Sequence, residues 1–165
     1  VRDARIAQIY EGTNGVQAMD LVGRKLAMDG GEVMRDYLAE LRAFVVSKSA
    51  DARLLQYLDP LRAAIDVLEE CFEWLLEAGR TDPAAVGAAA VDFLKLMGLT
   101  GSAHMWAKMA AASIDRTDGD NTGFYQRKLA LASYFMSRIL PQTSSLAAAV
   151  KSGPELLMAL EAEAF

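Results

Sequence analysis

A chain of 165 residues, 53% apolar and 24% charged, can bury a core within one domain without disulfide or metal staples. Its formal net charge of −5 comes from 17 basic and 22 acidic residues that are well mixed, leaving no basic stripe for nucleic acid. The single cysteine, Cys71, excludes an internal disulfide and any multi-cysteine metal site and fits a reducing, cytoplasmic compartment, while no apolar run reaches the ~18 residues of a membrane span.

Residues 2–10 and 14–28 read as helices with a break between them. Ile6, Ile9 and Tyr10 share one face, and Val16, Met19, Val22 and Leu26 continue at helical spacing. Asn14 followed by Gln17 is a helix-start signal, and Gly30-Gly31 closes the region. The next helix spans 32–47, with Met34, Leu38, Leu41 and Val45 stepping by four, three and four. Over 51–78 the pattern is strongest: Leu54, Leu58, Leu61, Ile65, Leu68, Phe72 and Leu75 form a heptad seam suited to an antiparallel bundle. At Pro60 either the helix kinks or Asp59 caps a fresh one. Gly79 ends the segment, and Thr81-Asp82-Pro83 starts another.

Residues 83–112 form a long helix rich in Ala and Gly, which permits close approach of a neighbour. A polar loop, Asp115 to Thr122, leads into a helix over 123–140 stopped by Pro141. Residues 142–151 and 154–163 read as one or two short terminal helices around Gly153-Pro154. No segment shows a convincing period of two. The expected fold is all-α: an antiparallel helical bundle of four to six helices, residues 31–165, with an N-terminal helical segment, residues 1–29.

Several residues invite a chemical reading and yield a plainer one. His104, the only histidine, reads as a packing or surface residue. Cys71 lies in an apolar run and reads as a buried spectator. Met97, Met105 and Met109 read as core fillers. Asp115, Asp118 and Asp120 lack the spacing of a calcium loop and read as solvated acids, so no metal site is expected. Glu69, Glu70, Glu73 and Glu77 read as a solvated helix face.

The informative stretch is Arg2-Asp3-Ala4-Arg5-Ile6-Ala7-Gln8-Ile9-Tyr10-Glu11-Gly12-Thr13-Asn14-Gly15-Val16-Gln17. By itself it is a helix, a Glu-Gly-Thr break and a second helix. Gly12 permits close approach by a ligand, and the free N–H groups after it favour an anion. Glu11 lies beside them. Most such breaks are ordinary caps.

Ile9-Tyr10-Glu11-Gly12-Thr13, with its flanks, resembles the signature near the C-terminus of acyl-CoA dehydrogenases. Leu21-Val22-Gly23-Arg24-Lys25-Leu26 is similar to the bacterial branch that carries an additional helical domain. Phe124-Tyr125-Gln126-Arg127-Lys128-Leu129-Ala130, running to Ile139-Leu140-Pro141, is similar to the end of that domain. The resemblance implies that residues 1–29 end the catalytic helical domain and that 31–165 form the extra bundle. It implies Glu11 as catalytic base, with Glu11 and Gly12 beside the substrate. Thr13, Asn14 and Gly15 would contact FAD, although many members carry Gln at the position of Gly15. The implied reaction is α,β-desaturation of an acyl-CoA, with electrons passed through FAD to an electron-transfer flavoprotein.

The flavin-binding β-domain and most of the acyl pocket would lie upstream of Val1, and the chain has no initiating Met. These features suggest a C-terminal fragment, inactive alone and binding no FAD. The alternative is a non-catalytic helical oligomerisation or interaction module, and association into a homo-oligomer, a dimer, is the expectation in either case. An independent acyl-CoA-binding bundle finds no basic cluster for the CoA phosphates.

Overall fold

The computed structural model describes residues 12–157, 159, 160 and 164. Among them there are helices and turns and no strand, as the composition requires. Helix α1 spans Thr13–Asp20 and continues as a π-turn over Leu21–Lys25. A 3₁₀ turn, Met28–Gly31, leads into α2, Glu32–Lys48. Two long helices follow, α3 at Leu55–Thr81 and α4 at Pro83–Ser113. Helix α5, Phe124–Tyr134, extends through a π-turn at Phe135–Ile139, and α6 covers Gln142–Val150.

The heptad seam is the core. Leu54, Leu58, Leu61, Ile65, Leu68, Phe72 and Leu75 are all buried, joined by Tyr57, Ala64 and Cys71. The α2 residues Met34, Leu38, Leu41 and Val45 bury against them. The two helices are antiparallel, because Arg35 reaches Glu73 while Arg42 reaches Asp66 at 2.7 Å and Glu69 at 2.6 Å. These pairs are partly exposed, so each contributes about 0.2–1 kcal/mol; their larger effect is on register. Glu69 and Glu73, read as part of a solvated face, thus also tie α3 to α2, while Glu77 pairs only within α3, with Arg80. Glu70 pairs with Lys151 at the end of α6, at 2.6 Å.

Pro60 sits inside α3 without interrupting it. Asp59 does not cap a new helix; its carboxylate accepts from Arg62. The cap lies earlier, where Asp51 accepts the N–H of Arg53 before the 3₁₀ turn Ala52–Leu54. Gly79 lies inside α3 as well. An added Cβ there would make ordinary contact with Val86 on α4, at 3.4 Å. The start of α4 is as expected: Asp82 accepts from the N–H of Ala84 at 2.9 Å, and Pro83 occupies the first turn.

Helix α4 packs against α3, α5, α6 and the N-terminal segment. Ala85, Ala89, Ala90, Ala103, Ala107 and Ala110 are buried along it. By length and composition this helix is apolar enough to cross a membrane, with a mean hydropathy of 1.3 over its best window, although Asp92, Lys95 and Lys108 interrupt its apolar run. Contact on several sides explains the composition, since a helix enclosed by neighbours loses its polar face. Its buried hydroxyls bond within the helix: Thr100 donates to the carbonyl of Leu96 and Ser113 to that of Met109.

Three expectations are corrected. Val16 and Met19 are exposed, whereas Ala18, Val22 and Leu26 are buried. The π-turn, closed by the N–H of Leu26 on the carbonyl of Leu21, adds a residue and shifts the apolar face. Helix 123–140 likewise ends in a π-turn, with the N–H of Leu140 on the carbonyl of Phe135. Residues 154–157, expected as the start of a helix, are bends and turns. Gly153 is left-handed, and Leu156, Leu157 and Leu160 stay exposed, so no packed face holds a short helix there.

Gly31 sits tightly against the core. Its φ is +89°, and an added Cβ would lie 2.8 Å from the ring of Phe72. Replacing Gly31 with Ala is expected to cost about 2 kcal/mol or more, read from the urea midpoint. His104, on α4, is buried with an unpartnered Nε2 and stacks edge-on against Phe44 of α2 at 4.8 Å. Burial first, then Lys108, pushes its pKa below 6.5, opposed by Glu40. The unfolded chain therefore binds a proton that the folded chain resists. Stability is expected to fall as pH drops below about 6.5, and His104→Phe should flatten that slope in urea titrations.

Candidate functional site

The residues singled out by sequence converge on the start of α1. Gly12 is the N-cap, at φ 83° and ψ −18°, and no side chain caps this end. The helix-start signal at Asn14 is thus corrected: the helix begins at Thr13, and Asn14 lies within its first turn. The first helical bond runs from the N–H of Val16 to the carbonyl of Gly12, at 3.2 Å. The N–H groups of Thr13, Asn14 and Gly15 therefore have no helical acceptor. Gly12, Thr13 and Asn14 are exposed and Gly15 is half-buried. Nothing lies within 4 Å of where a side chain on Gly12 or Gly15 would begin. Among the described residues this helix end is thus uncapped, with a partial positive charge suited to a phosphate group. Glu11, and with it Ile6, Ile9 and Tyr10, lies outside the described residues.

The far end of α1 is electrostatically closed. Asp20 accepts from Arg24 at 2.7 Å and pairs with Lys25 at 2.9 Å; both hold its carboxyl down at about 2. These charges are neutralised locally and are not offered to a ligand.

A groove of about 710 Å³ runs between the N-terminal segment and the junction of α3 with α4. Met19, Val22, Leu26, Leu76 and Val86 supply its apolar walls. Its ionic groups are paired, Arg35 with Glu73 and Arg80 with Glu77. It can hold an apolar segment but offers no poised base or nucleophile.

Elsewhere the plainer readings are refined. Cys71 is buried, and burial pushes its thiol up. Met97 packs against the core, but Met105 is exposed, so the three methionines are not all fillers. Asp120 is not a merely solvated acid. It accepts the N–H groups of Thr122 and Tyr125, each at 2.9 Å, and organises the start of α5. Asp115 pairs with Arg53 at 2.8 Å. Among the described residues, no three His, Cys, Asp or Glu side chains are grouped to hold a metal ion.

The sequence also has known relatives. It matches the family described as acetyl-CoA dehydrogenase C-terminal like over residues 37–161. It is 36% identical to a 3-methylmercaptopropionyl-CoA dehydrogenase of Ruegeria pomeroyi, over 87% of this chain and 25% of the relative. A broad-specificity linear acyl-CoA dehydrogenase of Mycobacterium tuberculosis is 30% identical over 100% of this chain and 29% of its own length. A butyryl-CoA dehydrogenase of Syntrophomonas wolfei is 25% identical over 92% of this chain and 25% of its own. The chain thus spans about a quarter of the length of the curated relatives it matches. With a helical bundle over the matched residues, the chain belongs to the acetyl-CoA dehydrogenase C-terminal-like family.

Proposed function

We propose that this chain is the C-terminal region of a flavin-dependent acyl-CoA dehydrogenase, desaturating an acyl-CoA thioester between Cα and Cβ. The observation that carries the reading is the open N-terminus of α1, directly after Glu11 in a Glu-Gly-Thr signature. The family match and the dehydrogenase names of the relatives support it.

In this reading residues 1–29 end the catalytic helical domain and 31–165 form the additional bundle. The residues at the helix start fit a dinucleotide phosphate: the N–H groups of Thr13, Asn14 and Gly15, which have no acceptor among the described residues, would hold it, and Gly12 leaves room for it. When bound, the flavin supplies the acceptor for the β-hydride. Glu11 takes the α-proton, and its backbone N–H steadies the thioester oxygen as negative charge builds there. A carboxylate shielded from water has a raised pKa and is a better base for so weak an acid. Electron-transfer flavoprotein as the electron acceptor, a homo-oligomeric state and a cytoplasmic location complete the proposal.

A second reading, a helical interaction module without catalysis, draws on a different observation. Among the described residues outside the α1 start, the ionic groups of the groove are paired with one another and Cys71 is buried, so no base or nucleophile stands poised there. The two readings are compatible, with the bundle serving as support for the enzyme.

The test is direct. The chain joined to its flavin-binding polypeptide should be yellow and oxidise acyl-CoA with a dye acceptor. Glu11→Gln should keep the flavin absorbance while losing about 10²–10⁴-fold in turnover. Unchanged turnover would remove Glu11 from the mechanism, and a colourless complete protein would end the reading. The 165-residue chain alone is expected to show no turnover.

A further inference from the structure

We propose that the exposed face of α5 receives the acidic, leucine-rich C-terminal segment of a second copy of this chain. Phe124, Leu131 and Tyr134 lie on one side of α5, each about half exposed or more. Arg127, Lys128 and Arg138 stand along this stripe. Lys128 lies over the rings of Phe124, at 5.4 Å, and Trp106, at 5.9 Å, and Arg127 donates to the carbonyl of Thr122. No carboxylate among the described residues pairs with any of the three. From Asn121 to Pro154 the sequence holds no acid at all, in a chain whose net charge is −5.

The last eleven residues are the counterpart. Glu155-Leu156-Leu157-Met158-Ala159-Leu160-Glu161-Ala162-Glu163-Ala164-Phe165 carries three acids and no base. Leu156, Leu157 and Leu160 are 88%, 70% and 62% exposed. Wound as a helix on docking, such a sequence groups these leucines on one face, with Glu161 and Glu163 along its edges. Its length would be about 16 Å, close to the ~15 Å from Phe124 to Tyr134. Charge, apolar content and length all match the stripe.

The described part of the chain's own tail does not lie on the stripe, since Leu156, Leu157 and Leu160 stay exposed, as do Phe124, Leu131 and Tyr134. Helix α5 lies beside Tyr57, which meets the carbonyl of Leu129 and the hydroxyl of Ser133. Helix α6 starts beside Pro60 and Ala63 and ends where Lys151 pairs with Glu70. That carries the chain about 10–15 Å along α3, away from Tyr57 and the stripe. A second copy meets no such obstacle, and a mutual exchange of tails closes as a two-fold dimer. The inference is independent of the dehydrogenase reading, because it needs neither flavin nor substrate.

Sedimentation velocity of the 165-residue chain tests it. The chain should dimerise reversibly, and removal of residues 156–165 should weaken association at least tenfold while leaving helicity intact. Arg127→Glu with Arg138→Glu should weaken self-association, as should Glu161→Lys with Glu163→Lys. Mixing the two charge-reversed proteins should restore dimers. A chain that stays monomeric overturns the proposal, as does a dimer unaffected by the truncation or variants that fail to rescue each other. A monomer that binds anionic vesicles through α5 would assign the face to lipid and equally overturn it.

Discussion

The contact between α3 and α4 constrains everything else in this chain. Small residues along much of α4, Ala89, Ala90, Ala103, Ala107 and Ala110, let it lie close to the rest of the core, while Phe93 and Leu96 supply its bulk there. Apolar burial along the seam is worth about 25 cal/mol per Å², and close packing adds dispersion contacts. The other helices then add to a pair already in place. Helix α2 aligns on α3 through Arg35 and Arg42, and α5 and α6 bury Ala132, Phe135, Met136 and Ala147.

How much of this was legible in the sequence depended on periodicity. The seam from Leu54 to Leu75 and the α2 face were readable because an uninterrupted α-helix keeps its phase. The N-terminal segment was misread for the opposite reason. A π-turn at Leu21–Lys25 adds one residue to the helical count, so Val16 and Met19 fall outside and Ala18 inside. No residue type announces a π-turn. The glutamates of α3 looked solvated because a single helix says nothing of the arginines its neighbours bring. The candidate site was legible only through its signature. Gly12 marked the break, but the bare helix end became visible only in three dimensions.

The bundle also has a mechanical relation to that helix end. Helix α1 is held on α4 by Ala18, Val22 and Leu26. Its other anchor is Gly31, closed over Phe72 of the seam. With both anchors in the rigid core, the direction of α1 is set by α3 and α4. An uncapped helix end is useful to an anionic ligand only when its N–H groups are pre-aimed. The bundle supplies that aim without contributing a reacting group.

Composition alone would have placed α4 in a membrane as readily as in a core, because both environments remove the same polar face. What separates them is how the rest of the chain is built around it. Thr100 and Ser113 bond to carbonyls within α4, so these two hydroxyls ask nothing polar of the neighbouring helices. Those neighbours in turn are amphipathic, with Arg42, Glu69 and Glu73 on their outer faces. An apolar helix flanked by amphipathic helices whose apolar faces turn toward it is the arrangement of a water-facing bundle; in lipid those outer charges would have no solvent.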